Sequence, residues 1–181
     1  MTVSADESLL VLRARCDDRE ALELLLRRVS PVLRKYVATL VGAQDADDVL
    51  QDALVQICRN IVWLEQVERF RAWAFRICSR LAFRHLRRRR LARERFVDEA
   101  TVADIEAPPL TSGELRGVLE TTLAETTLSP GVQAVLLLHF REELPLAEVA
   151  AVLEIPLGTV KSRLSFGLKS LRKALGAERK A

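Results

Sequence analysis

The chain has 181 residues and a formal charge of +3, enough for one domain or two small ones. No apolar run approaches the roughly 18 residues of a membrane span, and Ala5-Asp6-Glu7 puts acid where a secretory signal carries base. The three cysteines, Cys16, Cys58 and Cys78, are odd in number and fit no metal-ligand spacing; Cys58 and Cys78, on apolar stripes, are expected to be buried structural thiols in a reduced cytoplasm.

Almost everything before residue 96 has helical periodicity. Asp18 can cap a segment with apolar positions Leu22, Leu25, Leu26, Val29, Leu33, Tyr36, Val37 and Leu40. Pro31 is expected to kink or split it, and Gly42 to end it. Asp45 can cap the next helix, whose stripe is Val49, Leu50, Ala53, Leu54, Ile57 and Ile61. Asp45, Asp47, Asp48 and Asp52 suit the positive end of its dipole, with no base among residues 45–52.

Next comes an arginine-rich helix. Between Arg69 and Arg95 stand eleven arginines and one acid, Glu94, while Phe70, Trp73, Ala74, Ile77, Cys78, Leu81, Ala82, His85 and Leu86 recur as one apolar stripe. So many like charges on one element repel each other, and a polyanion explains them most simply. Trp63, Phe70, Trp73, Phe75 and Phe83, five of the nine aromatics, lie in or just before this helix. Base with interleaved rings suits single-stranded nucleic acid. Trp73, on the stripe, reads as core; Phe75 and Phe83, off it, are the better stacking candidates.

Residues 97–111 are purely acidic in their charges, carry Pro108-Pro109 and give no usable stripe, which predicts an extended linker. Helices follow near 113–127, from Ser129-Pro130, from Pro145 and from about Leu157. The expected fold is therefore all-α, two small helical domains (1–96 and 112–181) joined by an extended acidic linker (97–111).

Leu146 to Leu175 has the logic of a helix-turn-helix. Leu146, Val149, Ala150 and Leu153 face inward, Glu154-Ile155-Pro156 turns, and a second helix sets Val160 and Leu164 inward. Thr159, Lys161, Ser162, Arg163 and Ser165 are left outward near its N-terminus, where base edges and phosphates are read. Residues 161–175 hold five bases and no acid. A generic helical hairpin with a solvated basic face is the alternative.

An enzyme is disfavoured. His85 lies on an apolar stripe, His139 follows three leucines, and no Gly-rich loop, metal set or nucleophile motif stands out; no cofactor is expected. A two-domain regulator that binds duplex DNA by itself is the other alternative, although a sensing core has little use for Arg87-Arg88-Arg89-Arg90.

Nearly the whole chain resembles sigma-70-family factors of the extracytoplasmic-function type, which keep two domains called σ2 and σ4. Asp45 to Cys58 is similar to region 2.2, Phe70 to Arg90 to regions 2.3 and 2.4, and Ile155 to Leu164 to the −35 reading helix of σ4. The resemblance implies a promoter-specificity subunit of RNA polymerase. In it, Asp45, Asp48, Gln51 and Asp52 dock on the β′ clamp. Trp73, Arg76, Arg80, Arg84, Arg87 and Arg88 hold the melted −10 strand. Thr159, Lys161, Ser162, Arg163, Ser165 and Lys169 read the −35 duplex, beside the β flap. The acidic linker threads basic channels of the polymerase, and an anti-sigma factor is a further candidate partner. This chain departs from the family pattern at several places. Ser79-Arg80 replaces Arg-Asn, and Arg84 replaces Asp. Glu143 and Pro145 replace Gly and Ser, Glu154 replaces the turn glycine, and Phe166 and Leu168 replace arginines.

Overall fold

The computed structural model describes residues 5–93, 123 and 128–178. The expected linker lies outside them, as does most of the helix expected near 113–127, of which only Leu123 is described, helical and buried. The chain divides into two compact units, Met1–Arg93 and Glu94–Ala181. Among the described residues the regular structure is helical, with no strand.

The first unit is a four-helix bundle of α1 (Ala5–Arg15), α2 (Arg19–Val41), α3 (Ala43–Asn60) and α4 (Phe70–Arg93), with two short 3-10 turns, Ile61–Trp63 and Val67–Arg69, before α4. Helix α1 carries no clean apolar stripe. Its inward positions are Glu7, Val11 and Ala14, while Leu9 and Leu12 are exposed. What seats Glu7, only 1% exposed, is a bidentate pair with Arg71 of α4 at 2.8–2.9 Å. Burying one carboxylate is costly unless it is matched this way.

Asp18 caps α2 as expected: it has extended backbone, and its Oδ1 accepts from the Ala21 amide at 3.0 Å. That bond, reinforced by Arg13, holds its carboxyl below the usual carboxylate range. Pro31 does not split α2, which runs unbroken from Arg19 to Val41. The proline is exposed, and Val29, Leu33, Tyr36 and Val37 anchor the helix on both sides of the missing donor. Gly42, at φ 91°, ends α2 and serves as the N-cap of α3. Asp45 is therefore not the cap; it lies inside the first turn of α3.

Where α2 crosses α4, Tyr36 meets Phe75 edge-on, with centroids 5.1 Å apart. Ser79 Oγ donates to the Phe75 carbonyl at 2.7 Å, so the Tyr36 hydroxyl, also at 2.7 Å, donates to Ser79. Phe75 is thus core, against the sequence expectation, and Ser79 is a buried polar tie.

In the second unit Ser129 is the N-cap and Pro130 the first residue of α5 (Pro130–Leu136). A π-helical turn, Leu137–Arg141, follows it, and His139 Nδ1 lies 2.9 Å from the Leu144 carbonyl. Helix α6 (Leu146–Leu153) then leads through a turn to α7 (Leu157–Glu178). The face α6 buries is centred on Val149 and Val152; Leu146, Ala150 and Leu153, expected inward, are half-buried. Glu154 makes the turn in the left-handed region at φ 56°, a position glycine usually takes. Val160, Gly167 and Leu171 line the buried edge of α7, with Leu164 half-buried beside them. A Cβ on Gly167 would sit 2.9 Å from Val132 and Leu136 of α5, so glycine permits the close helix crossing.

Candidate polymerase and nucleic-acid interfaces

Helix α3 sorts its aspartates by direction. Asp45 turns to α4, where its Oδ2 is bonded to Arg89 and lies 3.3 Å from His85 Nε2, within ion-pair range once that ring is protonated. Asp47 turns to α2 and accepts both forks of Arg34, at 2.7 and 3.0 Å, which holds its carboxyl below the usual range. Asp48, Gln51, Asp52 and Val55 remain, spaced i, i+3, i+4 and i+7, and all four are exposed. They form one continuous stripe opposite the buried Ala46, Val49, Leu50, Ala53 and Ile57. Asp45, grouped with the docking residues on sequence, lies one turn before Asp48 at the edge of that stripe, but it is half-buried and engaged by Arg89.

Helix α4 sorts its arginines the same way. Arg71 is committed to Glu7, and Arg89 to Asp45. Arg76, Arg80, Arg84, Arg87 and Arg88 are exposed. At 100° per residue they fall within one arc of about 120°, which also contains Trp73. That indole is half-buried, 6.1 Å from the Phe70 ring. Phe83, also half-buried, borders the same arc. The stripe is therefore a guanidinium face edged by partly covered rings. Opposite it, Phe75, Cys78 and Ala82 are buried, and Phe70 and Ala74 are buried along its edge.

On α7 the expected −35 residues do not all point one way. Lys161 and Lys169 are exposed; Thr159, Ser162, Arg163 and Ser165 are half-buried. Ser162 Oγ donates to the Thr159 carbonyl at 3.1 Å. The Arg163 guanidinium leans on α5, where a Cβ added to Gly131 would lie 2.8 Å from its Nη1. The arc opposite the buried edge holds Ser162, Ser165, Phe166, Lys169 and Lys173. The sequence places Lys173 in the basic run and marks Phe166 as a departure from the family pattern, but puts neither among the −35 reading residues. Lys173 recurs four residues after Lys169, a spacing that signals a shared face; the seating of the helix adds that Phe166 lies on that face too.

Known proteins match both units. The family described as Sigma-70 region 2 matches residues 25–92, and that described as Sigma-70, region 4 matches residues 124–171. The RNA polymerase sigma-H factor of Pseudomonas aeruginosa is 30% identical over 97% of this chain and 96% of its own. The ECF RNA polymerase sigma factor SigW of Bacillus subtilis is 30% identical over 75% of this chain and 78% of its own. Among solved structures, CnrH in complex with the cytosolic domain of CnrY superposes with a TM-score of 0.65 at 25% identity, over 95% of this chain and 98% of that one. The sigma factor RpoE of Bartonella quintana, in complex with the anti-sigma factor NepR, has the same fold at 21% identity and a TM-score of 0.63, over 85% of this chain and 96% of that one. This chain belongs to the extracytoplasmic-function group of the sigma-70 family. As such it confers promoter specificity on RNA polymerase and binds both the polymerase and promoter DNA. Among the described residues no helix is long and apolar enough to cross a membrane.

Proposed function

We propose that the α3 stripe of Asp48, Gln51 and Asp52 docks on the β′ clamp, that the α4 guanidinium face holds the melted −10 strand, and that α7 reads the −35 duplex beside the β flap. The observation that carries this reading is the sorting of charge in the first unit. Asp45, Asp47, Arg71 and Arg89 are consumed within the bundle, whereas Asp48, Asp52, Arg84, Arg87 and Arg88 point outward. A bundle needs the first set for its own cohesion. The second is two separate surfaces, one anionic and one cationic.

Melting costs unstacking, a few kcal/mol per extruded base, which pocket contacts and phosphate pairing offset. An arginine face beside partly covered rings suits that strand. A stress- or signal-responsive set of promoters is the target, and a protein inhibitor of the anti-sigma kind is a second partner; the CnrH and RpoE structures are complexes with CnrY and NepR.

The test is reconstitution with core polymerase on a random promoter pool. Enriched promoters should carry paired −10 and −35 elements. Asp48→Asn with Asp52→Asn should abolish co-purification with core polymerase while the helical signal persists. Unchanged co-purification refutes the docking surface.

A further inference from the structure

Among the described residues, Phe166 is the one large apolar side chain on an otherwise polar and basic outer face of α7. Its ring is 38% exposed. Its neighbours along the helix surface, at i−4, i+3 and i+7, are Ser162, Lys169 and Lys173. The ring cannot roll into the core with its helix, because Gly167 already sits against Val132 and Leu136 at the tightest point of the crossing. Ser170 Oγ donates to the Phe166 carbonyl at 3.0 Å, within a continuous helix.

We propose that Phe166 is a specificity-determining residue that reads a thymine C5-methyl group in the −35 duplex. This rests on the reading that α7 lies in the major groove. A phenyl ring can neither donate to a phosphate nor accept from a base edge. The apolar feature a base pair offers in the major groove is the thymine methyl. Opposite guanine or cytosine, the ring strips water from polar edge atoms and returns no hydrogen bond, which is unfavourable. The flanking Lys169 and Lys173, with Lys161 further round the helix, supply the phosphate attraction that brings the face to DNA. A protein partner is the weaker match for this ring, since docking surfaces present contiguous apolar area. The other exposed large apolar residue described in this unit, Leu157, is nine residues away and hence about 180° round the helix.

The experiment uses holoenzyme reconstituted from the full chain and core polymerase. Its probe is the duplex selected from a randomised −35 region, with each thymine replaced in turn by deoxyuridine. One position should show about fourfold weaker binding with deoxyuridine, the weight of one buried methyl-sized group. Phe166→Ala should erase that ratio, and Phe166→Leu should keep part of it. At the same position, 5-methylcytosine should bind better than cytosine to the unmodified protein. A thymine-to-deoxyuridine ratio that Phe166→Ala leaves unchanged at every position overturns the proposal. So does loss of core-polymerase binding by Phe166→Ala without DNA, because the ring is then a protein contact. Lys161→Ala with Lys169→Ala separates this failure from that of the underlying reading. If the lysine pair leaves −35 duplex binding intact, α7 does not read the duplex, and the thymine contact falls with it. If the pair weakens binding and the ratio still ignores Phe166, only the thymine contact fails.

Discussion

Asp45 and Asp48 are three residues apart on one helix, yet the fold gives them opposite work. Asp45 neutralises Arg89 and faces His85, whereas Asp48 is exposed beside Gln51 and Asp52. Asp45→Asn should therefore leave co-purification with core polymerase intact, in contrast to the Asp48 and Asp52 pair. Its stability cost should be about 1 kcal/mol or less, because the ion pair is partly solvated. It also releases Arg89, so the salt dependence of single-strand binding should steepen by roughly one counterion. Loss of core binding in Asp45→Asn would return that residue to the docking surface. Cys78 supplies a second prediction at this scale. Burial pushes its thiol up to about 12 from an ordinary 9.0. Iodoacetamide at pH 8 should label the exposed Cys16 and spare Cys78 until the protein unfolds. A raised pKa means that the folded state keeps a proton which the unfolded state releases. The stability it contributes is therefore complete below pH 9 and falls between pH 9 and 12, by at most about 1.4 kcal/mol per pH unit. Denaturant titrations across that window should show a steeper decline in the parent than in Cys78→Ala.

At the scale of elements, two glycines of the second unit make opposite predictions. Replacing a helical glycine with alanine gains about 1 kcal/mol of propensity. At Gly131 the added methyl meets only the far end of Arg163, which can swing away. Gly131→Ala should thus hold or raise the melting temperature. At Gly167 the methyl meets Val132 and Leu136, both buried in α5. Overpacking costs typically 1–3 kcal/mol, which outweighs the propensity gain. Gly167→Ala should lower stability by about 1 kcal/mol net and disturb duplex recognition, as read by thermal melting and −35 binding. The low propensity of glycine in α7 is thus the consequence of its packing. The same logic applies at Glu154, where the left-handed turn stores modest strain that glycine relieves. Glu154→Gly should leave the turn unchanged and not lower the melting temperature.

At the scale of the molecule, the two helices proposed to face DNA belong to different units and ask for different forms of DNA. The α4 face suits bases that a closed duplex hides, while α7 suits a closed groove. Arg84→Ala with Arg87→Ala should reduce permanganate reactivity of melted thymines. Lys161→Ala with Lys169→Ala should weaken recruitment to duplex and spare a pre-melted template. Without polymerase, binding should be salt-sensitive and micromolar or weaker, with little preference for promoter over scrambled sequence. Polymerase supplies melting and raises the effective concentration of each unit on one promoter. A thousandfold preference by the free protein in a salt series would instead mark a regulator that acts alone.

The sequence by itself determined that the chain is helical, because apolar residues recur at helical spacing from Leu22 to Leu86 and no alternation competes. It also determined the cap at Asp18, the starts at Ser129 and Leu146, and the turn after Leu153, since these depend on local backbone chemistry that neighbouring residues dictate. The charge runs on α3, α4 and α7 were equally plain. Direction was not. Helix α1 was not delimited as a separate element because its inward face includes Glu7, whose partner Arg71 stands 64 residues away. Phe75 became core because Tyr36 faces it, and Ser79 because a tyrosine hydroxyl needed a partner. Which aspartates and arginines are spent inside the bundle and which reach outward depends on helix rotation. Rotation is set by packing between segments far apart in the chain, a property that no local window of residues contains.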